Sequence, residues 1–256
     1  MNPHPPAQAL LLAAGRGERM RPLTDTTPKP LLAVRGKPLL QWHLEALARG
    51  GVRSVCINTA WLGDQIAQRF GPVFTPDAAA WDGAGAAPQL ALRYSMEGQD
   101  FGRALETAGG IVRALPWLDE VFWLAGGDVF APEFAFAEAV RRAFARSPLL
   151  AHIWLVPNPP HHPEGDFGAA VLPGGRLLAH NGAGVPRHTY STIGLFKQAF
   201  FAQPWCTIAP GNPEGVAAPL GPMLRAAIDA GQVGASLYPE QWVDVGTPQR
   251  LAALQA

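Results

Sequence analysis

Ala9-Leu-Leu-Leu-Ala13 runs into Ala14-Gly-Arg-Gly-Glu-Arg-Met-Arg-Pro-Leu-Thr24, and the stretch closes with Pro28-Lys-Pro30. Five consecutive apolar residues bounded by Gly15 read as a short strand buried on both faces, as in parallel sheets. The residues that follow mix Gly, Pro, Thr and charge without an apolar period, so they form a long loop. A long loop in a compact domain is usually functional. A glycine-rich turn leaving a strand lets backbone N–H groups approach phosphate oxygens, because no Cβ intervenes. Gly15 and Gly17 can do this, while Arg16, Arg19 and Arg21 supply guanidinium forks that match phosphate oxygens. Lys29, between two prolines on a stiff segment, adds a compact point charge. The spacing is neither G-x-x-x-x-G-K-[ST] nor G-x-G-x-x-G, since position 20 is Met.

Outward from this stretch, strands and helices alternate. Residues 31–34 read as a strand and 35–38 as a turn. Pro38 opens a helix with Leu40, Leu44 and Leu47 on one face, ended by Gly50-Gly51. Residues 54–58 read as a strand, 62–70 as a helix, 72–88 as an irregular surface insertion and 90–94 as a half-buried strand. A helix continues over 111–115 after a Gly109-Gly110 turn. A buried strand at 121–125 ends in Gly126-Gly127-Asp128, followed by a helix at 134–145 and a strand at 149–156. This order predicts an α/β fold, a Rossmann-like, mainly parallel sheet flanked by helices, with ligands at the carboxyl ends of its strands. Beyond Pro157 the pattern shifts to short β-like segments at 169–172, 176–179 and 189–196, one helix at 220–230 and a last strand at 242–245. These predict a small antiparallel extension. No internal repeat appears, so residues 1–256 read as one domain, with 1–156 binding nucleotide and 157–256 completing the site.

The 256 residues are 48% hydrophobic and 16% charged, with a formal net charge of zero. That composition is globular, and the charge balance argues against a non-specific nucleic-acid binder, which needs a basic field. The eight tryptophans therefore read as core or pocket wall rather than a base-stacking array. Cys56 and Cys206 lack metal-ligand spacing and read as buried thiols in a reducing compartment. The N-terminal residues carry no signal pattern, and no run approaches the roughly 20 apolar residues of a membrane span. A cytoplasmic location is the expectation, and residues 2–6 are expected to be unstructured. The sequence does not set an oligomeric state.

Two aspartates, Asp128 and Asp244, each follow an apolar strand, where the ligand crevice should lie. Mg²⁺ is a hard cation that takes one or two carboxylates and completes its shell with water and phosphate oxygens, so the pair suits it. Alone, either could be a turn or cap residue. Glu106-Thr107 precede a helical stretch, where Thr107 could cap and free N–H groups could meet a hydroxyl or phosphate. His161-His162 invites zinc, but adjacent side chains diverge and no third ligand stands at zinc spacing. A loop shaping the pocket is the better reading, with Asp166 as a hydrogen-bonding candidate.

The loop resembles the signature of the sugar-1-phosphate nucleotidyltransferases, A-A-G-x-G-x-R followed by P-L-T and P-K-P. Gly127-Asp128 and Val243-Asp-Val-Gly-Thr247 extend the likeness over nearly the whole chain. Asn58-Thr-Ala-Trp-Leu-Gly63, Leu105-Glu-Thr-Ala-Gly-Gly110, Asn158-Pro-Pro-His-His-Pro-Glu-Gly-Asp-Phe167 and Trp242-Val-Asp-Val-Gly246 are similar to the N-acetylmuramate α-1-phosphate uridylyltransferase branch. The resemblance implies transfer of a uridylyl group from UTP to a sugar 1-phosphate with release of pyrophosphate, in cell-wall sugar recycling. It implies nucleotide contacts from Ala13, Gly15, Gly17, Glu18, Arg19, Lys29, Ser95 and Gly98, and sugar contacts from Glu106, Thr107, Gly126 and Asp166. It also implies that Arg19 holds the β- and γ-phosphates, that Lys29 holds the α-phosphate, and that Asp128 and Asp244 hold Mg²⁺. Gly126 stands where many relatives have Asn, Thr192 where a Ser-Gly-Ile pattern has Gly, and Ala108 interrupts a Gly triplet. These departures leave other acceptors open, such as glucose or mannose 1-phosphate. A catalytically silent nucleotide-binding subunit should have lost Arg19, Lys29, Asp128 or Asp244, and all four are present.

Overall fold

Strand β1 (Ala7–Ala13) leads through three 3₁₀ turns to a small hairpin, β2 (Ala33–Val34) with β3 (Lys37–Pro38). The structure is a computed structural model that describes residues 6–78, 81, 85–171, 177–182 and 184–255. Next come α1 (Leu39–Arg49), β4 (Ser54–Thr59), α2 (Gly63–Phe70), β5 (Val73–Phe74) and β6 (Leu90–Met96). Then follow α3 (Glu97–Phe101), α4 (Glu106–Ala114), β7 (Leu118–Gly126), β8 (Val129–Phe130), α5 (Glu138–Ala145) and β9 (Ala151–Val156). The chain finishes with β10 (Phe167–Val171), β11 (Leu177–His180), β12 (Arg187–Lys197), α6 (Leu220–Asp229), β13 (Val233–Leu237), β14 (Val243–Asp244) and α7 (Pro248–Ala253).

One ten-stranded sheet runs in the order β10-β11-β13-β9-β12-β7-β1-β4-β6-β5. β6, β4, β1 and β7 are parallel neighbours. β12 lies antiparallel between β7 and β9, and β13 runs parallel to β9. Side chains alternate across a strand, and β1 shows the result. Leu11 and Ala13 face the apolar layer under α1, while Leu10 faces the layer shared by α4 and α6. Both layers are closed to water, which is why β1 needed an unbroken apolar run.

The structure departs from the sequence expectation in particular places. Residues 31–34 begin in a 3₁₀ turn, and only Ala33–Val34 pair as a strand. Helix α4 runs straight through Gly109-Gly110, which are not a turn. A Cβ at Gly109 would sit 2.4 Å from the Val216 carbonyl oxygen, and one at Gly110 would sit 2.5 Å from Glu97 Oε1. Close packing, not chain reversal, demands these glycines. The helix expected at 134–145 starts only at Glu138. Phe134 and Phe136 instead turn inward, packing on Trp123 with ring centres 6.1 and 5.3 Å away. The last strand is only Val243–Asp244, paired with β8 outside the main sheet. β13 carried no signal that singled it out. Residues 172 and 176 of two expected strands, residues 2–5 and part of the 72–88 insertion lie outside the described residues.

Two histidines, His43 buried and His152 half-buried, are expected to make this fold acid-sensitive. His43 on α1 hydrogen-bonds the Val129 carbonyl (2.9 Å) through Nε2, and His152 meets the Ser236 hydroxyl (2.8 Å). Burial pushes each imidazole down from 6.5 to about 4. Since the unfolded chain takes up these protons first, the stability is complete above pH 6.5 and lost as pH falls towards 4. Each histidine is expected to cost on the order of 3 kcal/mol by the bottom of that window. Urea melts between pH 7 and 4 measure it, and His152→Gln should flatten the slope.

Candidate active site

The loop after β1 is fastened to itself before it can hold anything else. Gly17 takes a φ of 67° on entering the Glu18–Met20 turn, and a Cβ there would lie 3.0 Å from Thr24 Cγ2. Thr24 Oγ1 donates to the Gly17 carbonyl (2.8 Å). The Thr24 carbonyl accepts from both Arg16 and Trp61 Nε1, each at 2.9 Å. The Arg16 guanidinium also lies 3.6 Å from the Trp61 ring centre. Asp25 pairs with Arg16 at 3.3 Å and Arg21 at 2.9 Å. Two of the three loop arginines thus hold the loop's shape. Arg19 is exposed, lines the central cavity and makes no ion pair among the described residues.

That cavity, about 820 Å³, opens at the carboxyl ends of β1 and β7. One wall is Ala13, Gly15, Gly17, Glu18 and Arg19. Lys29 lies on the floor, 8% exposed, with Nζ 2.6 Å from Asp128 Oδ2. Asp128 is carried by the end of β7, whose Gly127 N–H donates to the Leu12 carbonyl (2.7 Å). A Cβ at Gly127 would come within 2.8 Å of that oxygen, so glycine is what brings the β7 end against β1.

The backbone at Asp244 comes beside that of Asp128 along β14. It stands opposite Val129, and the Val245 N–H donates to the Asp128 carbonyl (2.9 Å). The two aspartates are thus neighbours across a two-stranded ribbon. The Asp244 carboxylate is held by the Arg250 guanidinium of α7 and by His161 Nε2 at 3.0 Å. It faces a second cavity of about 660 Å³, while Asp128 and Gly246 line the first. His161 thus meets an aspartate, and His162 does likewise with Asp166 Oδ1 at 3.2 Å. Among the described residues no group of three or more His, Cys, Asp or Glu side chains gathers at one point.

Glu106, Thr107, Gly126 and Asp166 line the same cavity. Asp166 is fixed by the Tyr190 N–H, which donates to Oδ2 at 2.8 Å. The sequence reading noted Thr192 only as a departure from a Ser-Gly-Ile pattern, and it missed Tyr190 and the α6 residues Leu220, Leu224 and Arg225, which also line the cavity. Their local pattern is that of an ordinary strand and an amphipathic helix, so only the fold exposes them. Ser95 and Gly98 are not among the lining residues. Ser95 is fully buried, and a Cβ at Gly98 would sit 2.4 Å from the Ala60 carbonyl oxygen.

A buried relay links Ala13 to the residue before Glu106. The Ala13 N–H donates to Asn58 Oδ1 (2.8 Å), Asn58 Nδ2 to Glu97 Oε1 (2.7 Å), and the Leu105 N–H to Glu97 Oε2 (2.8 Å). Glu97 is fully buried, and that burial raises its pKa against the pull of the two donors. Leu105 precedes Glu106, whose backbone has a φ of 56°. Glu97→Gln aims an amide N–H at one of two donors and is expected to cost about 1–3 kcal/mol. Denaturant melts would show this as a lower midpoint with unchanged slope, whereas an unshifted midpoint would remove the relay's structural role.

No helix among the described residues is long and apolar enough to cross a membrane. The family model described as Nucleotidyl transferase matches residues 8–179. The chain is 40% identical to the N-acetylmuramate alpha-1-phosphate uridylyltransferase of Neisseria meningitidis serogroup B, over 97% of each chain. To the enzyme of the same name from Caulobacter vibrioides it is 29% identical, over 98% of this chain and 96% of that one. In fold it is similar to a Bacillus anthracis protein described as a glucose-1-phosphate thymidylyltransferase, solved with sucrose. The TM-score is 0.67 at 19% identity, covering 97% of this chain and 93% of that one. With the family model matched over two thirds of its length and the Neisseria enzyme over nearly all of it, the chain belongs to the nucleotidyl transferase family.

Proposed function

We propose that this enzyme transfers the uridylyl group of UTP to N-acetylmuramate α-1-phosphate, giving the UDP-sugar and pyrophosphate, as a cytoplasmic step of cell-wall sugar recycling. The observation that carries the reading is one cavity lined together by the loop of residues 15–19, by the Lys29–Asp128 pair, and by the polar groups of Glu106, Thr107 and Asp166. The choice of base and sugar rests on the 40% identity to the Neisseria enzyme.

An oxygen of the sugar 1-phosphate attacks the α-phosphorus of UTP. A new P–O bond forms, the bond to the β-phosphate breaks, and its electron pair leaves with pyrophosphate. The attacking monoester has a second pKa of about 6, so it is ionised at neutral pH and needs no general base. A protein nucleophile has no support either, because Cys56 is buried with its thiol pushed up to about 12, and Cys206 is buried too. The chain's part is positioning and charge neutralisation. Lys29 moves its charge from Asp128 to the α-phosphate, and Arg19 grips the departing phosphates. Asp128 and Asp244 offer hard oxygen donors in pairs, too few for an all-protein cage and well matched to Mg²⁺, which completes its shell with phosphate and water. Bound there, Mg²⁺ would neutralise charge on the reacting phosphates.

Pyrophosphate release should be measured with five nucleoside triphosphates against a panel of sugar 1-phosphates. The expected result is the highest kcat/KM for UTP with N-acetylmuramate α-1-phosphate. Equal or faster turnover of glucose or N-acetylglucosamine 1-phosphate would overturn the acceptor, and a preference for another base would overturn the donor.

A further inference from the structure

The charged lining of the larger cavity includes three bases, Arg19, Lys29 and Arg225. Lys29 is paired with Asp128, Nζ to Oδ2 at 2.6 Å, and Arg19 sits on the loop that follows β1. Arg225 comes from another element, the second turn of α6, and lines the cavity together with Asp166 and Phe167. It is exposed and makes no ion pair among the described residues. The acids nearest to it along the chain and in space are engaged elsewhere. Asp229, one turn further along α6, accepts from Asn181 Nδ2 at 2.8 Å. The Asp166 carboxylate accepts from the Tyr190 N–H (2.8 Å) and meets His162 Nε2 (3.2 Å).

The guanidinium is nonetheless held in place. Its carbon lies 4.9 Å from the ring centre of Phe167, a buried residue at the start of β10. A cation over an aromatic face is attracted by the ring quadrupole. Nη1 donates to the Asp166 carbonyl at 3.4 Å, which leaves most of the five guanidinium donors for a ligand. Arg187 donates to the same carbonyl, but its other amino group is spent on the Asn181 carbonyl (3.1 Å). The Asp166 carboxylate alone would repel an acidic ligand. Arg225 beside it reverses that and offers a planar fork that matches a carboxylate. N-acetylmuramate α-1-phosphate differs from N-acetylglucosamine 1-phosphate in one group, a 3-O-lactyl ether that ends in a carboxylate. Both acceptors carry the 1-phosphate, and only the muramate brings a second anion.

We propose that Arg225 is a specificity-determining residue that pairs with the lactyl carboxylate of the acceptor and so selects an acidic sugar 1-phosphate over its neutral parent, an inference that rests on the acceptor reading above. Arg225→Met keeps the stem over Phe167 and removes the fork. It is expected to lower the ratio of kcat/KM for N-acetylmuramate α-1-phosphate over N-acetylglucosamine 1-phosphate by about tenfold or more, the range for hydrogen bonds to a charged group. The loss should fall on KM, because the carboxylate takes no part in the bond change. Arg225→Lys should recover part of the ratio through its point charge. With the wild-type enzyme the methyl ester of the muramate acceptor, neutral at the lactyl group, should lose about as much as the Met variant loses with the free acid. With Arg225→Met, acid and ester should be equivalent, a coupling that a double-mutant cycle reads directly. An unchanged ratio would overturn the inference, including an equal loss with both acceptors, which would make Arg225 a ligand of the shared 1-phosphate. A wild-type enzyme that takes the ester as well as the free acid would overturn it too, and that comparison stands even where a variant folds poorly. A wild-type enzyme that turns over no N-acetylmuramate α-1-phosphate would instead overturn the acceptor reading, and this inference with it.

Discussion

Asp128→Ala is expected to lower magnesium-dependent pyrophosphate release by about a thousandfold or more, equivalent to about 4 kcal/mol of transition-state stabilisation. The carboxylate is nearly half exposed, and it approaches Lys29 Nζ to 2.6 Å. What ties this residue into the fold is its backbone carbonyl, which accepts from the Val245 N–H (2.9 Å) and survives the substitution. The fold should therefore persist, with a lower melting temperature because the Lys29 ammonium loses this partner on the buried floor. Asp244→Ala should fall as far in activity. It also frees Arg250 and His161, which now share that carboxylate. Asp128→Asn keeps volume and removes charge, so it should behave like Asp128→Ala if charge is what matters. Steady-state rates across a magnesium titration make the measurement, and near-normal turnover in either alanine variant would sink the pair as metal ligands.

Lys29→Met should cost about a hundredfold to a thousandfold in kcat, the range found when one preorganised group facing developing charge is removed. Met keeps most of the apolar stem that crosses the buried floor, where Lys29 is only 8% exposed. Its loss is therefore one of charge, and KM for UTP should change less than kcat. Lys29→Arg should not restore the rate. A planar guanidinium does not replace a compact ammonium on a segment fixed by Pro28 and Pro30. Rates at saturating UTP decide this, and a variant whose KM rises with kcat intact would show Lys29 to be a ground-state binding group.

Much of the framework was legible because its signals are local. The apolar run of β1, the helical spacing of Leu40, Leu44 and Leu47, and the strand before Gly127-Asp128 each report burial through their own periodicity. The loop's glycines, Arg19 and Lys29 were legible for the same reason, as a compact stretch of glycine and positive charge, and the structure lines one cavity with them. Sequence alone misread the glycines at 109–110 as a turn because it could not show Val216 and Glu97 pressing on α4. It likewise gave 134–137 to a helix, where the rings of Phe134 and Phe136 gain more by packing on Trp123. Arg16 and Arg21 looked like phosphate ligands until Asp25 and Trp61 were seen to hold them.

The sequence by itself determined the class of fold, the glycine-rich loop after β1 and the identity of the charged residues, because hydrophobic period and residue chemistry are written along the chain. Only the tertiary structure decided how these meet. The insertion of β12 between β7 and β9 brings Thr192 over Gly126, and the β8–β14 ribbon brings Asp244 beside Asp128. Strand order and long-range pairing are set by which buried faces and backbone hydrogen bonds can all be satisfied together, a condition on the whole chain that no local stretch contains.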